Sequence, residues 1–142
     1  MGIKDANNMG AAMAPAFADT LISHFQDTGR NPSYYDVIIS GDLGHIGKEI
    51  AIDIAKSKGY NIKSNYNDCG ILIFDKNAQD THSGGSGCAC CGTVFSGYFF
   101  KQLKNKKINK ILLIATGALM NSTSSQQGES IPGIAHAISI EN

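Results

Sequence analysis

The sequence has no tryptophan and no excess charge of either sign, because twelve Lys and Arg residues balance twelve Asp and Glu residues. A surplus of positive charge is the usual electrostatic signature of proteins that bind nucleic acids or anionic membranes. The basic run from Lys101 to Lys110 is interpreted as a solvated helix end followed by a turn. The composition therefore predicts no nucleic-acid partner.

Long hydrophobic runs are also missing. The longest, such as ILLIATGALM at residues 111–120, reach about half of the roughly 20 apolar residues that a membrane-spanning helix needs. Neither terminus resembles a secretory signal. We therefore expect a soluble protein without a signal peptide or a transmembrane segment. Its 142 residues, 42% of them hydrophobic, predict a single domain over residues 1–142.

Cysteine is scarce and clustered: three of the four cysteines lie between Cys88 and Cys91, and the fourth is Cys69. In a chain without a secretory signal, such cysteines are expected to be reduced thiols rather than a disulfide framework. Zinc is commonly held by two separated pairs of ligands, whereas here His82 accompanies one cluster, so we predict no metal site. On a helix, moreover, Cys90 points about 100° away from Cys91.

Cys88 and Cys91 nevertheless have the C-x-x-C spacing of thiol oxidoreductases. They lie at the start of a predicted helix, where the helix dipole lowers the pKa of a thiol and favours the thiolate. Their neighbours are glycine, alanine and an apolar helix, which favours the interpretation that they are small buried side chains. A thiol oxidoreductase therefore stays as an alternative function.

Apolar residues at helical spacing predict three helices. The first is predicted over Pro15 to Thr28, with proline in its first turn and glycine just past its end. The second ends at Gly59, and the third runs from near Gly87 to about Asn105. The apolar stripes are Phe17, Leu21 and Phe25 in the first helix and Ile46, Ile50 and Ile54 in the second.

Short β-branched or apolar runs between these helices predict strands that are buried on both faces. Alternating helices and strands are typical of an α/β domain in which right-handed helical crossovers join consecutive parallel strands. The last two strands follow each other directly, so we expect an antiparallel pair within a mixed, mostly parallel sheet. The predicted strands are Val37–Ile39, GILIFD at residues 70–75, KILLIAT at residues 110–116 and Ile134–Ile140.

The third predicted helix is apolar on nearly all sides. A helix that is hydrophobic all round is buried, whereas a helix of one small layered domain usually shows one face to water. The pattern therefore predicts a buried central helix whose second covering layer is absent from this chain. The residues concerned are Val94, Phe95, Tyr98, Phe99 and Leu103.

A glycine-rich turn, in which Gly84, Gly85 and Gly87 surround Ser86, precedes this helix. Such a turn leaves the first backbone N–H groups of a helix unpaired and open to approach, so it predicts a site for an anion or a carbonyl group. No Gly-Lys-Ser follows and the G-x-G-x-x-G spacing is absent, so nucleotide binding is not indicated. Of the four histidines, we interpret His82, beside the turn, as a site residue.

Asp42 follows a predicted strand, where open α/β sheets place the groups that bind ligands. An aspartate at this position is equally typical of a cap that satisfies the first N–H groups of the next helix. Both interpretations stay open. Spacing alone assembles no nucleophile, base and orienting group, so the residues by themselves indicate a domain and a site but no reaction.

Five segments resemble the stage V sporulation protein AD family of endospore-forming bacteria, and the resemblance covers essentially the whole chain. Members of that family are similar in fold to thiolases and β-ketoacyl-acyl-carrier-protein synthases, in which two α/β halves stack into a five-layered αβαβα sandwich. The resemblance implies that this chain is the C-terminal half of such a sandwich and that the N-terminal half is its partner. The segments are GIKDANNMGAAMAPAFADT, GDLG, NDCGILIFD, HSGGSGCAC and TGALMNSTSSQQGESIPGIAHAISIE.

The resemblance implies a non-catalytic protein that binds dipicolinic acid for uptake into the developing spore. The amides from Gly84 to Ser86 would receive one ligand carboxylate, while Asp42 would orient a polar group or a calcium ion that accompanies the dianion. No other cofactor is implied. The expected ligand-binding residues are Asp42, His82, Ser83, Gly84, Gly85 and Ser86.

The main alternative is an acyl-transferring condensing enzyme. Such enzymes place a histidine after the second strand and a histidine or asparagine before the buried helix, while their nucleophilic cysteine comes from the other half. Here those positions fall at about Gly41-Asp42 and at His82 to Gly84. A carboxylate where an oxyanion must be stabilised opposes the developing charge, so the resemblance implies that this chain is not an enzyme.

The resemblance also implies a location peripheral to the inner membrane of the spore, with sporulation membrane-channel proteins as partners. A scaffold that only docks onto such partners is a further alternative. An exposed apolar patch drives association, so the uncovered side of the third helix predicts self-association of this chain.

Overall fold

The computed structural model describes residues 2–81 and 87–142, and within them the chain forms a four-stranded sheet. The strands are β1 (Val37–Ser40), β2 (Tyr66–Asp68), β3 (Lys110–Ala118) and β4 (Gly133–Glu141). Their order is β2-β1-β3-β4, in which β1 is parallel to both β2 and β3, and β4 is antiparallel to β3. The predicted α/β fold with a mixed, mostly parallel sheet is therefore confirmed.

Helices cover both faces of this sheet. A 3₁₀ turn lies at Pro32–Tyr34, and a π-helical turn at Phe95–Phe99 joins α4 to α5 into one continuous helix, called the 90–104 helix below. One apolar core lies between the sheet and the first two helices, and a second core lies beneath the 90–104 helix on the opposite face. The helices are α1 (Met9–Thr28), α2 (Gly44–Ser57), α3 (Cys69–Ile73), α4 (Cys90–Val94), α5 (Phe100–Lys104) and α6 (Ser122–Gln126).

Helix α1 begins at Met9, earlier than predicted, so Pro15 lies inside the helix rather than in its first turn. The Asn8 side chain accepts a hydrogen bond of 2.9 Å from the Ala11 amide and caps this earlier start. The predicted end is confirmed, because Gly29 follows with a left-handed φ of 66°. The predicted apolar stripe is buried as expected: Phe17, Leu21 and Phe25.

The prediction that an isoleucine stripe forms the buried side of α2 is wrong. Ile46 is 47% exposed, whereas Gly47 is buried where α2 crosses α1. A Cβ atom on Gly47 would lie 2.8 Å from the backbone of Gly10, so the two helix backbones touch there. Because only small side chains permit this approach, Gly47 and not Ile46 lies at the crossing, while Ile50 is partly buried at the edge of the core. The buried residues of α2 are Gly44, Gly47, Ala51, Ile52 and Ala55.

The strand predicted at residues 70–75 is also wrong, because β2 ends at Asp68 and α3 follows at once. The Asp68 side chain accepts a hydrogen bond of 3.3 Å from the Ile71 amide and so caps α3. Such capping offers the backbone an alternative to a strand ladder. Leu72 and Ile73 consequently stay partly exposed, at 40% and 39%.

The 90–104 helix lies close to the bounds predicted for the third helix. Its inner side, which includes Phe99 and Leu103, is buried against the sheet. Its outer side is open in this chain, where Phe100 is 55% exposed. Ile134 and Ile138 of β4, each 57% exposed, lie on the same side of the sheet by strand alternation. Phe100, Ile134 and Ile138 together are called the open face.

Candidate functional site

A cavity of about 580 Å³ lies at the carboxyl ends of β1 and β3. Its walls come from the start of α1, from the loop after β1, from the entrance to the 90–104 helix and from the last residues of β3. Open α/β sheets bind ligands at this edge, and typical small-molecule sites measure roughly 300–1,000 Å³. The lining includes Met13, Gly41, Asp42, Leu43, Gly87, Cys88, Cys91, Ala115, Thr116 and Gly117.

Asp42 lies in the wall of this cavity. Its Oδ2 atom accepts a hydrogen bond of 2.5 Å from the amide of Gly87. The carboxylate therefore connects the end of β1 to the residue that leads into the 90–104 helix. The alternative that Asp42 caps α2 is wrong, since the residue before α2 is Leu43 and no capping bond comes from its side chain.

Asp68 takes that capping role and is the residue that the sequence interpretation missed. It is fully buried, and its carboxylate accepts hydrogen bonds from the amides of Leu43 at 2.8 Å and Gly44 at 3.0 Å. The same side chain caps α3, as described above. Asp68 thus holds the loop that delivers Asp42 to the cavity. The sequence does carry a signal for this capping role, namely an aspartate directly before a glycine-containing segment. The apolar run that follows it, however, favoured the prediction of a strand.

A buried polar chain stabilises this arrangement. Ser40 Oγ donates to Asp68 at 2.6 Å and lies 2.8 Å from the hydroxyl of Tyr66. Burial raises the pKa of Asp68, while the hydrogen bonds from Ser40 and the backbone amides act in the opposite direction. Burial likewise raises the pKa of Tyr66 well above its usual value. The network keeps the carboxyl ends of β1 and β2 together beside the cavity.

Thr116 also lines the cavity, beside the end of β1. Its Oγ1 atom is buried and has no hydrogen-bond partner among residues 2–81 and 87–142. Buried polar atoms are nearly always paired in native proteins, so such an atom in a cavity wall calls for an explanation. The end of β1 passes close by, because a Cβ atom on Gly41 would lie 3.3 Å from the Thr116 amide. Thr116 was not singled out from the sequence.

The cysteines do not act as one group. Cys88 is exposed and Cys91 is half-buried, and both line the cavity, whereas Cys90 is buried in the core beneath the 90–104 helix. Cys91 packs against the core that contains Cys69, the first residue of α3. The described residues contain no cluster of three or more His, Cys, Asp or Glu side chains suited to a metal ion.

The remaining predicted site residues lie outside the described residues. The prediction that backbone amides of the glycine-rich turn receive an anion therefore stays a prediction. The structure describes the last residue of the turn, Gly87, whose φ of 89° is one that glycine adopts readily. The predicted residues concerned are His82, Ser83, Gly84, Gly85 and Ser86.

The chain is similar to proteins of bacterial sporulation. The family model described as Stage V sporulation protein AD matches residues 1–141. Over 141 residues the chain is 46% identical to the Stage V sporulation protein AD of Bacillus subtilis (strain 168), covering 99% of the chain and 41% of the relative. The chain thus spans less than half the length of this relative. Across residues 2–81 and 87–142, no helix has both the length and the apolar character needed to cross a bilayer.

Proposed function

Because the chain belongs to the stage V sporulation protein AD family, as the sequence predicted, we propose that its cavity binds dipicolinic acid and releases it unchanged. The observation that carries this proposal is the cavity at the carboxyl ends of β1 and β3 with the buried Thr116 hydroxyl in its wall. A buried donor without a protein partner favours a ligand that supplies an acceptor. Dipicolinic acid supplies carboxylate oxygens on both sides of a pyridine ring.

The walls of the cavity suit a flat aromatic ring. Gly41 and Gly117 have no side chains and Ala115 has only a methyl group, so little side chain projects into the cavity beside Thr116. In the proposed complex the pyridine ring lies against this wall. One ligand carboxylate accepts a hydrogen bond from Thr116, and the other faces the predicted amides of the glycine-rich turn.

Electrostatics decide how the dianion is accommodated. Asp42 is the one carboxylate among the described residues that line the cavity, and it would repel a bare dianion. Calcium takes six to eight oxygen ligands, so a single aspartate cannot hold it without further donors. The donor set therefore fits calcium as a companion of the ligand, coordinated mainly by dipicolinate and water and touched by Asp42, rather than as a resident metal.

Two features of the cavity favour binding over catalysis. Among the described residues that line the cavity, none is a histidine that could serve as a base for Cys88 or Cys91. The Asp42 carboxylate would also oppose the negative charge that develops during acyl transfer. These features support a binding protein.

The open face supports a larger assembly. We propose that the family member of which this sequence forms part carries an N-terminal α/β half, and that this half covers Phe100, Ile134 and Ile138 to complete a thiolase-like αβαβα sandwich. Such a molecule would work at the inner membrane of the spore beside sporulation membrane-channel proteins. Without its partner half, this chain would self-associate through the same face.

Calorimetric titration tests the proposal directly. Dipicolinate is added to this chain with and without calcium, and isophthalate serves as a matched ligand that lacks the ring nitrogen. Saturable binding of dipicolinate, stronger with calcium than without it, is the expected result. A chain that binds neither compound, tested again together with the N-terminal half, would exclude the proposed function.

One observation favours a second candidate. Cys88 and Cys91 both face the cavity, so thiol chemistry on an acyl or disulfide substrate is the alternative. Turnover of acyl-CoA by the chain together with its N-terminal half would support the condensing enzyme. Catalysed disulfide exchange on an unrelated protein would support the oxidoreductase.

A further inference from the structure

Cys69 and Cys91 come from different elements and meet beside the cavity. Cys69 is the first residue of α3, Cys91 is the second residue of α4, and these helices pack against each other. Cys69 belongs to the core beneath the 90–104 helix, and Cys91 packs against that core, so the two side chains lie in one cluster. A disulfide bond between them would require the two sulfur atoms to approach to roughly 2 Å.

Access to the two thiols is unequal. Cys69 is 0% exposed, whereas Cys91 is half-buried and lines the cavity. A small reagent that enters the cavity therefore reaches Cys91 and not Cys69. Redox-active pairs commonly combine an accessible attacking cysteine with a nearby resolving cysteine.

The pKa values of the two thiols also differ, and the more accessible thiol, Cys91, has the lower one. The hydrogen bond from Cys69 lowers the pKa of Cys91, although burial and the charge of Asp68 act in the opposite direction. The same hydrogen bond raises the pKa of Cys69, and burial raises it further. Since the thiolate is the nucleophile, Cys91 is the attacking residue and Cys69 keeps the proton.

We propose that Cys91 and Cys69 form a redox-sensitive pair in which Cys91 reacts first and Cys69 resolves. The Cys91 thiolate attacks a low-molecular-weight disulfide in the cavity, which forms a mixed disulfide and releases one small thiolate. That thiolate takes the proton of Cys69, and the Cys69 sulfur attacks the Cys91 sulfur and expels the second small thiolate. The two protein sulfurs lose two electrons, and the small disulfide gains them and leaves as one thiol and one thiolate.

The new bond would change the cavity. It removes the Cys91 sulfur from the wall and links α3 covalently to α4. It also closes a loop of residues 70–90. This loop contains Gly87, whose amide donates a hydrogen bond to Asp42. The occupancy of the cavity and the oxidation state of the pair are therefore coupled. This inference holds whichever ligand the cavity binds.

A peptide map of the full chain tests the proposal. Trypsin cleaves after Lys63, Lys76 and Lys101, so Cys69 lies in peptide 64–76 and the other three cysteines lie in peptide 77–101. After incubation with oxidised glutathione, we expect the number of free thiols to fall from four to two. We also expect the two peptides to be linked, with fragmentation assigning the bond to Cys91.

The C-x-x-C spacing predicts a different disulfide, between Cys88 and Cys91. A Cys88–Cys91 disulfide would leave the link inside peptide 77–101, and that outcome would overturn the proposal. Glutathione adducts without any linked peptides would overturn it as well, because Cys69 would then not resolve.

Three variants sharpen the assignment. Cys88→Ser alters an exposed cysteine and is the matched control, so the linked peptides should persist, and their loss would contradict the proposal. Cys69→Ser should stop the reaction at a glutathione adduct on Cys91, and Cys91→Ser should abolish the link. Circular dichroism checks the fold of Cys69→Ser, because that side chain is fully buried, and the wild-type map decides the question without it.

Discussion

The carboxylate of Asp42 accepts a hydrogen bond of 2.5 Å from the amide of Gly87 and so joins two points that lie 45 residues apart in the chain. The bond fixes the entrance of the 90–104 helix relative to β1. Asp42→Ala should lower the free energy of unfolding by about 1–2 kcal/mol, because a hydrogen bond to a charged group is lost. Asp42→Asn keeps an acceptor and should lose less. Urea unfolding measures both, and equal losses would show that the hydrogen bond is not the cause.

The same pair of variants separates the charge of Asp42 from its hydrogen bond during ligand binding. Removal of a negative charge from the cavity should strengthen the binding of dipicolinate in the absence of calcium. In the presence of calcium, Asp42→Asn should weaken binding, because a carboxylate ligand of the cation is gone. Calorimetry under both conditions makes the comparison. A change in the same direction with and without calcium would contradict the proposed role.

Thr116→Val tests the unpartnered hydroxyl. The substitution removes the donor and keeps the shape, so the affinity for dipicolinate should fall about tenfold, or ~1.4 kcal/mol. Stability should be unchanged or slightly higher, since no protein partner loses its hydrogen bond. Thr93→Val, at an exposed threonine of the 90–104 helix, is the matched control and should change neither quantity. Equal affinities for Thr116→Val and the wild type would remove Thr116 from the site.

The contact of Gly47 with Gly10 predicts a large packing effect. Gly47→Ala places a Cβ atom 2.8 Å from the Gly10 backbone, and this overpacking should cost about 1–3 kcal/mol of stability. Gly92→Ala, in α4, meets nothing within 4 Å and should stabilise the chain by roughly 0.5–1 kcal/mol. Thermal unfolding compares the two variants. A stable Gly47→Ala would mean that α1 and α2 can separate without penalty.

His24 makes stability depend on pH. Burial lowers the pKa of His24, and the nearby Arg30 lowers it further. A histidine with a lowered folded-state pKa stabilises the fold above its unfolded value of about 6.5, and this contribution is lost as the pH falls through the folded value. The free energy of unfolding should therefore decrease from pH ~7 to pH ~5. His24→Gln should flatten that decrease, and an identical slope in the variant would assign it to other groups.

Self-association through the open face has a matched control on the other side of the sheet. Phe100→Lys introduces a charge on the open face and should shift the chain towards the monomer, because an apolar contact is lost. Ile46→Lys makes a similar change at a 47% exposed position of α2 and should leave association unchanged. Sedimentation at several concentrations measures both. Equal effects would place the contact elsewhere.

Local patterns were sufficient for most of the secondary structure. The first apolar stripe, the left-handed Gly29, and the buried runs of β1 and β3 depend on neighbours a few residues away, and the structure confirms each of them. The family could also be recognised from motifs, because those motifs are contiguous. The alternation of helices and strands was enough to predict a mixed, mostly parallel sheet.

Contacts between distant residues account for the errors. Ile46 of α2 is exposed while its neighbour Gly47 is buried against Gly10, and no local pattern encodes that crossing. The run at residues 70–75 forms no strand because the buried carboxylate of Asp68 caps α3 at this point. In both places a tertiary interaction outweighed local preference.

The family, the α/β class and the position of Asp42 after a core strand could all be predicted from the sequence, because they depend on short-range periodicity and contiguous motifs. Three relationships became visible only in the folded chain: Asp68 caps α2, Thr116 lines a cavity, and Cys91 packs against the core that contains Cys69. These relationships arise where elements far apart in the chain exclude water together. Their energies depend on distance and burial in three dimensions, which spacing along a chain does not specify.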